Sequence, residues 1–546
     1  MNATLPRLPV ALATSLACLF APLPASAADA VVHYTIQRGD TLIHLAQRHL
    51  LREGDWVRLQ RDNAIADPRR LRPGSRLRVP VRLLRQAPAA LTVEAVHGPV
   101  LWRAGEGEWA PAKGGDRLDA GATVKTGADA SALLRLADDT RILISPESAV
   151  VLDGLRQYGT GMMVYSRLRL DQGQAEIDAN PGQRPNVNLR IDTPGAQTVV
   201  RGTRFRVGTD GAATREETLQ GAVTVTAGGR GVSVEQGKGT VARTGEPPMP
   251  PTALLPAADT AGLPTRFERL PMRFPVPQLQ DAEAWLGQIS PDEDFRRILL
   301  ERSTAKGPLV FADLPNGDYV LRLRGADRFG LQGHDALHRF TVFARPFAPG
   351  INAPGDGGTV RTARPRFEWT HAVDVSGYRL QVAEREDFAA PLHDAGAGGT
   401  EWTPAADLPA GRLYWRIASI DGSGRQGPWS TAAAFTYKPG PGPVDAGRIS
   451  TQLRDDALQL ELGPPPAELR YAVVLSGRPD LGEPLAEVRA DDGSIRLPRP
   501  EGGTYYLGIG FEDIADGTPG PKSVSKIDVP HPFPWPALLI LLLPLL

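Results

Sequence analysis

A repeat with a period of about ninety residues runs through the C-terminal half of the chain. Leu314-Pro315-Asn316-Gly317-Asp318-Tyr319 matches Leu408-Pro409-Ala410-Gly411-Arg412-Leu413, and Pro500-Glu501-Gly502-Gly503-Thr504-Tyr505 is a looser third copy. An alternating strand follows each: Val320–Leu323, Tyr414–Ile417 and Tyr506–Ile509. Turns at Asp327-Arg328-Phe329-Gly330 and Asp421-Gly422-Ser423-Gly424 come next, and each copy closes on another alternating run (Arg339–Val342, Ala434–Tyr437, Ser525–Val529). A strand of period two buries one face and needs a second sheet to cover it, so β-sandwich modules are expected at 265–345, 346–438 and 441–530.

At 546 residues the chain is too long for one domain, and its length suggests roughly three to five. Its formal charge of −1 gives no general attraction to nucleic acid or anionic lipid, and no nucleic-acid partner is expected. The high glycine and proline content, with no long helical periodicity after Asn63, indicates a mainly β, multi-module protein. Residues 1–27 read as a secretory signal: Arg7, an apolar run Val10–Phe20, and a cleavage site at Ala25-Ser26-Ala27. Cys18, the single cysteine, lies inside it, so cleavage excludes a thiol enzyme, a disulfide framework and a cysteine metal site. Acylation at Cys18 as a lipoprotein is the alternative, with Leu16 poorly placed for it. The apolar tail, 531–546, is short of the roughly twenty residues a spanning helix needs, and Pro544 interrupts it; a partial anchor stays open.

Val31 to Pro80 follows a different pattern. Val32, Tyr34 and Ile36 alternate as a strand; Gly39-Asp40 turns the chain, with Asp40 able to cap a helix whose apolar face is Leu42, Leu45, Ala46 and Leu50. Glu53-Gly54-Asp55 breaks that helix, Trp56 and Leu59 begin a second that ends near Asn63, Pro73-Gly74 turns, and Leu77 and Val79 close as a strand. This segment resembles the LysM domain through Tyr34-x-Ile36-x-x-Gly39-Asp40-Thr41-Leu42, Leu59-x-x-x-Asn63-x-Ile65 and Leu71-x-Pro73-Gly74-x-x-Leu77, taken here as 31–81. The resemblance implies binding of an N-acetylglucosamine polymer, above all peptidoglycan. It places the groove between Gly39, Asp40, Thr41 and Leu42 on one side and Asn63, Ile65 and Asp67 on the other. Amides and short polar side chains would bond N-acetyl and hydroxyl groups, with Leu42 and Ile65 as an apolar floor for the ring faces.

After a short linker, Val81–Leu91, alternating runs recur at Thr92–Val96, Ala132–Leu136, Arg141–Ile144, Val150–Leu152 and Val164–Leu170, separated by Gly- and Asp-rich turns. An extended strand is expected with Val199, Thr203, Phe205 and Val207 on one side and Arg204 and Arg206 on the other. Thr193-Pro194, Val200-Arg201-Gly202-Thr203-x-Phe205-x-Val207, Leu219-x-Gly221-x-Val223-x-Val225 and Gly237 make the region 92–244 resemble the FecR domain, the periplasmic part of iron-transport regulators. The relay to a sigma factor that this family performs needs a cytoplasmic segment and a spanning helix ahead of the domain. Here a leader and the LysM-like module stand in that place, so the resemblance is carried for the fold, and Arg201-Gly202-Thr203 is read as a structural strand motif. Residues 245–264, rich in proline and alanine, are expected to form a poorly ordered linker.

Arg366-Phe367-Glu368-Trp369 and Gly377-Tyr378-Arg379-Leu380-Gln381-Val382 resemble paired strands of a fibronectin type III sandwich, and Trp369, Tyr378, Trp415 and Trp429 are expected in its core. No nucleophile elbow, phosphate loop or zinc helix occurs in the sequence. His334 and His338 lack a third ligand, and the pairs Asp138-Asp139, Asp455-Asp456 and Asp491-Asp492 sit at turns. The expectation is a non-catalytic envelope protein of the periplasm without metal or cofactor. Its small βααβ LysM-like module would bind peptidoglycan, and its all-β FecR-like domain and three β-sandwich modules would contact envelope proteins. A periplasmic sensor acting through the FecR-like domain is the alternative.

Overall fold

A computed structural model of the chain describes residues 31–179, 187–200, 203–445, 447, 449–454 and 456–531. The expected signal segment, Arg201-Gly202, Asp455 and the tail from 532 lie outside the described residues. The chain forms two compact units, residues 1–343 and 344–546.

The first unit opens with strand β1 (Val31–Thr35), helix α1 (Leu42–His49), a 3-10 turn at Glu53–Asp55, helix α2 (Trp56–Asp62) and strand β2 (Arg76–Pro80). These helices are the only α-helices among the described residues. β1 and β2 pair antiparallel, Tyr34 opposite Leu77 and Thr35 opposite Arg76. The expected faces are buried: Val32, Leu42, Leu45, Ala46, Leu50, Leu59, Leu77 and Val79 form one core, extended by Leu83 and Leu84 of the linker and by Tyr158 and Met163 of the following domain. A unit of about fifty residues is near the lower limit for a self-sufficient core, and this extension enlarges it.

From Gln86 to Ala253 the strand pairings close on themselves. The long strand Met163–Asp178 joins two sheets: Val164–Arg169 pair parallel with Val187–Asp192, and Gly173–Asp178 pair antiparallel with Arg204–Thr209. Gly173 has φ +87° at the crossing, and a Cβ there would overlap Ser148. The single strand expected through Val199 and Val207 is in fact two. Gln197–Val200 pairs with Val187–Asp192 and Ala222–Ala227, whereas Arg204–Thr209 belongs to the other sheet.

The stretch 245–264 is not the loose linker expected. Thr252–Ala253 pairs with Lys238 and Gly239, and the Met249 amide donates to Val241 O at 2.9 Å. Leu254 and Leu263 are buried. Its prolines suit an extended strap, and its leucines hold it down. The next sandwich pairs a five-stranded sheet with the two strands Met272–Phe274 and Leu309–Phe311. Phe267, Phe274, Phe311 and Phe340 fill its centre edge-to-face, Phe274 and Phe340 lying 5.0 Å apart.

The second unit holds two further pairs of sheets. In the first, Phe367, Trp369, Tyr378 and Trp415 are core, and Trp415 Nε1 donates to Pro354 O at 2.8 Å. Trp429, expected with them, is only half-buried: its ring lies 4.5 Å from the Arg416 guanidinium.

Candidate functional site

The two loops named from the sequence lie side by side. The Leu42 amide donates to Pro68 O at 2.8 Å, and the Gly74 amide to Ile36 O at 2.8 Å. Gly39 has φ +93°, a conformation that admits glycine without strain. Asp40 does not cap α1. Its Oδ2 accepts from the Gln37 amide at 2.7 Å and from the Tyr34 hydroxyl at 2.8 Å, which fixes the turn. The Tyr34 hydroxyl is pushed up to about 12 by burial, then by its hydrogen bond to Asp40. Thr41 is the cap, its Oγ1 accepting from the His44 amide at 3.1 Å.

Two expected groove residues are corrected. Leu42 is fully buried, so it supports the loop from beneath and offers no face to a sugar. Asn63 is committed to the fold: its Nδ2 donates to Leu59 O and Arg78 O at 2.9 Å, and its Oδ1 accepts from the Arg78 amide at 2.7 Å. It thereby ties the end of α2 to β2. Ala64 follows at φ 51°, the Ile65 amide donates to Gln60 O at 3.0 Å and the Ala64 amide to Arg61 O at 3.2 Å. This left-handed termination turns Ile65, half-buried, out of the helix. Asp67 is exposed and accepts from the Arg69 amide at 2.9 Å. Gly39, Asp40 and Thr41 thus stand on one of the two adjoining loops and Ile65 and Asp67 on the other, with Tyr34 and Pro68 as the structural members sequence reasoning missed.

A second site was not legible in the sequence. Where the FecR-like domain meets the first sandwich, Glu176 accepts from Arg204 at 2.8 Å and Arg324 at 3.0 Å and forms an ion pair with Arg322 at 3.1 Å. Arg206 donates to Gln332 O at 2.8 Å, Gly333 O at 2.7 Å and Asp335 at 3.3 Å. Burial alone would raise Glu176, but Arg322, Arg324, Arg206 and Arg204 outweigh it and hold the carboxyl well below the usual range. Burial raises Glu216 and Glu217, and Glu216 Oε2 has no hydrogen-bond partner. A polar cavity of about 260 Å³ opens beside the cluster, next to Arg141, Arg204, Glu293 and Arg296. His338 is spent on Pro264 O, 2.9 Å away, and Asp138 caps the Thr140 amide at 3.0 Å.

Comparison with known proteins now bears on both sites. Residues 34–80 match the LysM domain. Residues 122–224 match FecR protein. LysM domains generally bind N-acetylglucosamine glycans, and a FecR match suggests an envelope-associated regulatory role. LysM and FecR domains are generally non-catalytic. No curated protein matches the chain. Among solved structures, a putative anti-sigma factor from Parabacteroides distasonis ATCC 8503 is 11% identical, covers 24% of this chain and 59% of its own, and has a TM-score of 0.20. The chicken CNTN1 FN1-FN3 domains are 13% identical over 51% of this chain and 99% of theirs, TM-score 0.24. The Clostridium thermocellum CbhA fibronectin(III)-like modules are 12% identical over 34% and 94%, TM-score 0.23. Overlaps this low do not define the fold, which rests on the strand pairing described above. Among the described residues, no helix is long and apolar enough to cross a membrane.

Proposed function

We propose that this protein is a non-catalytic, exported component of the bacterial envelope that holds peptidoglycan, or a related N-acetylglucosamine polymer, between the two loops of its LysM domain. The FecR domain (92–244) and three sandwich modules (265–345, 346–438, 441–530) then present surfaces to other envelope proteins. The observation that carries the reading is the hydrogen bond from the Leu42 amide to Pro68 O, which sets the loops carrying Asp40 and Ile65 next to each other. Around it stand short polar groups and one half-buried isoleucine, a combination that suits N-acetyl and hydroxyl groups on an apolar ring face. The test is a pulldown with purified peptidoglycan. Wild type is retained, and Asp40→Arg combined with Ile65→Asp is not; equal retention refutes the assigned groove.

A second reading follows from the match over residues 122–224: a periplasmic sensor whose FecR domain meets a membrane regulator. Its distinguishing result is a stable complex with such a regulator that survives loss of glycan binding.

A further inference from the structure

The LysM domain carries a concentration of positive charge that its own fold does not use. Between residues 31 and 81 there are ten arginines against five carboxylates, whereas the whole chain has a formal charge of −1. From Pro68 to Val93 the sequence has no acidic residue at all. Arg38, Arg69, Arg70, Arg72, Arg76 and Arg78 are exposed, and among the described residues none of their guanidinium groups makes an ion pair or hydrogen bond. Arg58 and Arg61, by contrast, both pair with Asp62.

Backbone bonds gather these arginines at one place. The Ile36 amide donates to Ser75 O at 2.9 Å, the Gly74 amide to Ile36 O and the Leu42 amide to Pro68 O, both at 2.8 Å. Thr35 faces Arg76 across the two-stranded sheet. The turn carrying Arg38 is thus fixed against the loop carrying Arg69, Arg70 and Arg72, at the edge of the proposed groove. The two acidic groups within this surface are already engaged, Asp40 by Tyr34 and Gln37, Asp67 by the Arg69 amide. Their two carboxylates offset only part of the charge of Arg38, Arg69, Arg70, Arg72 and Arg76, so the surface keeps a net positive charge. An anionic partner would offset it.

We propose that Arg38, Arg69, Arg70, Arg72 and Arg76 form an ionic subsite beside the glycan groove, which takes the carboxylates of peptides attached to the polymer and so favours a peptide-bearing glycan over a neutral one. This rests on the groove reading and adds the substrate class to it. The continuity of the arginines with both loops favours a charged substituent on the same polymer over nucleic acid or a membrane surface.

The experiment compares retention of the full chain on sacculi before and after carbodiimide amidation of their carboxylates, and on neutral chitin oligomers. Wild type should bind untreated sacculi on the order of tenfold better than amidated ones, with the advantage shrinking as salt rises. Arg69→Gln/Arg70→Gln/Arg72→Gln should lose that advantage yet keep its hold on chitin oligomers, and the matching Arg→Lys variant should recover most of it. Equal, salt-insensitive retention on native and amidated sacculi overturns the subsite and leaves the groove standing. Failure on every glycan, chitin included, overturns the groove and the subsite with it. Tight binding to DNA or anionic vesicles without discrimination between the two sacculi also overturns it.

Discussion

Single residues decide how this N-terminal domain is held. Ala64 sits at φ 51°, where a Cβ is strained and glycine is not. Ala64→Gly should therefore stabilise the domain by about 0.5–1 kcal/mol, read as a higher urea midpoint; a lower midpoint would show that the left-handed turn carries no strain. Glu216 offers a test with a sign. Burial raises its pKa, so the folded state holds its proton above the unfolded value of about 4.3. The stability tied to this group is complete below that value and is lost as pH rises through the folded one. Glu216→Gln should flatten the fall in urea midpoint as pH rises above 5 and show a higher midpoint than wild type at pH 8. Some slope should remain, because burial also raises Glu217 and Glu301. Parallel curves for the two proteins would contradict the assignment. At this scale residue types were legible more readily than roles. Asn63 and Leu42 stand at motif positions, yet whether an amide faces a ligand or a neighbouring strand depends on β2, which returns fifteen residues later.

Elements were legible wherever one face meets water. The period-two runs at Val150–Leu152 and Leu77–Val79 and the helical face Leu42–Leu50 all lie where periodicity put them. The pattern failed where both faces are covered. In Val320–Arg324 the arginines alternate with leucines as on a solvent face, but the FecR domain covers that face, and Arg322 and Arg324 are almost fully buried. Periodicity reports how many faces a strand has and says nothing of what a later domain lays over the polar one. The strap at 245–264 escaped notice because its only regular pairing is a two-residue strand against Lys238 and Gly239, with the distant His334 amide donating to Leu255 O at 2.9 Å. Because the arginines are buried, their carboxylate matters. Burial and Arg324 lower Arg322 to about 10, still charged at neutral pH. Glu176→Ala leaves two buried guanidinium groups short of a partner and should destabilise the first unit by about 3–5 kcal/mol. Adding Arg322→Met and Arg324→Leu should return much of that loss, since an apolar seam of similar volume has no charge to bury. If the triple variant is no better than Glu176→Ala, the cluster's cost lies in packing and not in charge.

At the scale of the molecule, the chain up to Phe343 is three modules that share their interiors. The LysM core takes in Tyr158 and Met163 from the FecR domain, and His49 meets Gly159 O there. Leu133 and Leu143 of the FecR domain pack with Phe295, Ile298 and Val320 of the first sandwich, and Ser131 exchanges hydrogen bonds with Ile298 at 2.9 and 3.0 Å. Arg302 pairs with Asp129 across the same seam. Shared cores and buried ions make separate unfolding expensive, because opening one seam exposes apolar surface and strands Glu176 among uncompensated charges. The expected behaviour is one cooperative transition for residues 31–343. Tryptophans report it module by module: Trp56 packs on the LysM core, Trp102 on the FecR core, and Trp285 is buried in the sandwich. Variants that retain one of these at a time should give coincident urea midpoints. Acid provides the complementary check. Burial lowers the pKa of His49, so its contribution is complete above the unfolded value of about 6.5 and is lost as pH falls through the folded one. A Trp56 transition that parts from the other two only on acidification would locate the first point of separation at His49 and Gly159. A Trp56 transition already separate at neutral pH would mean that the LysM domain is tethered to the rest and does not share its core.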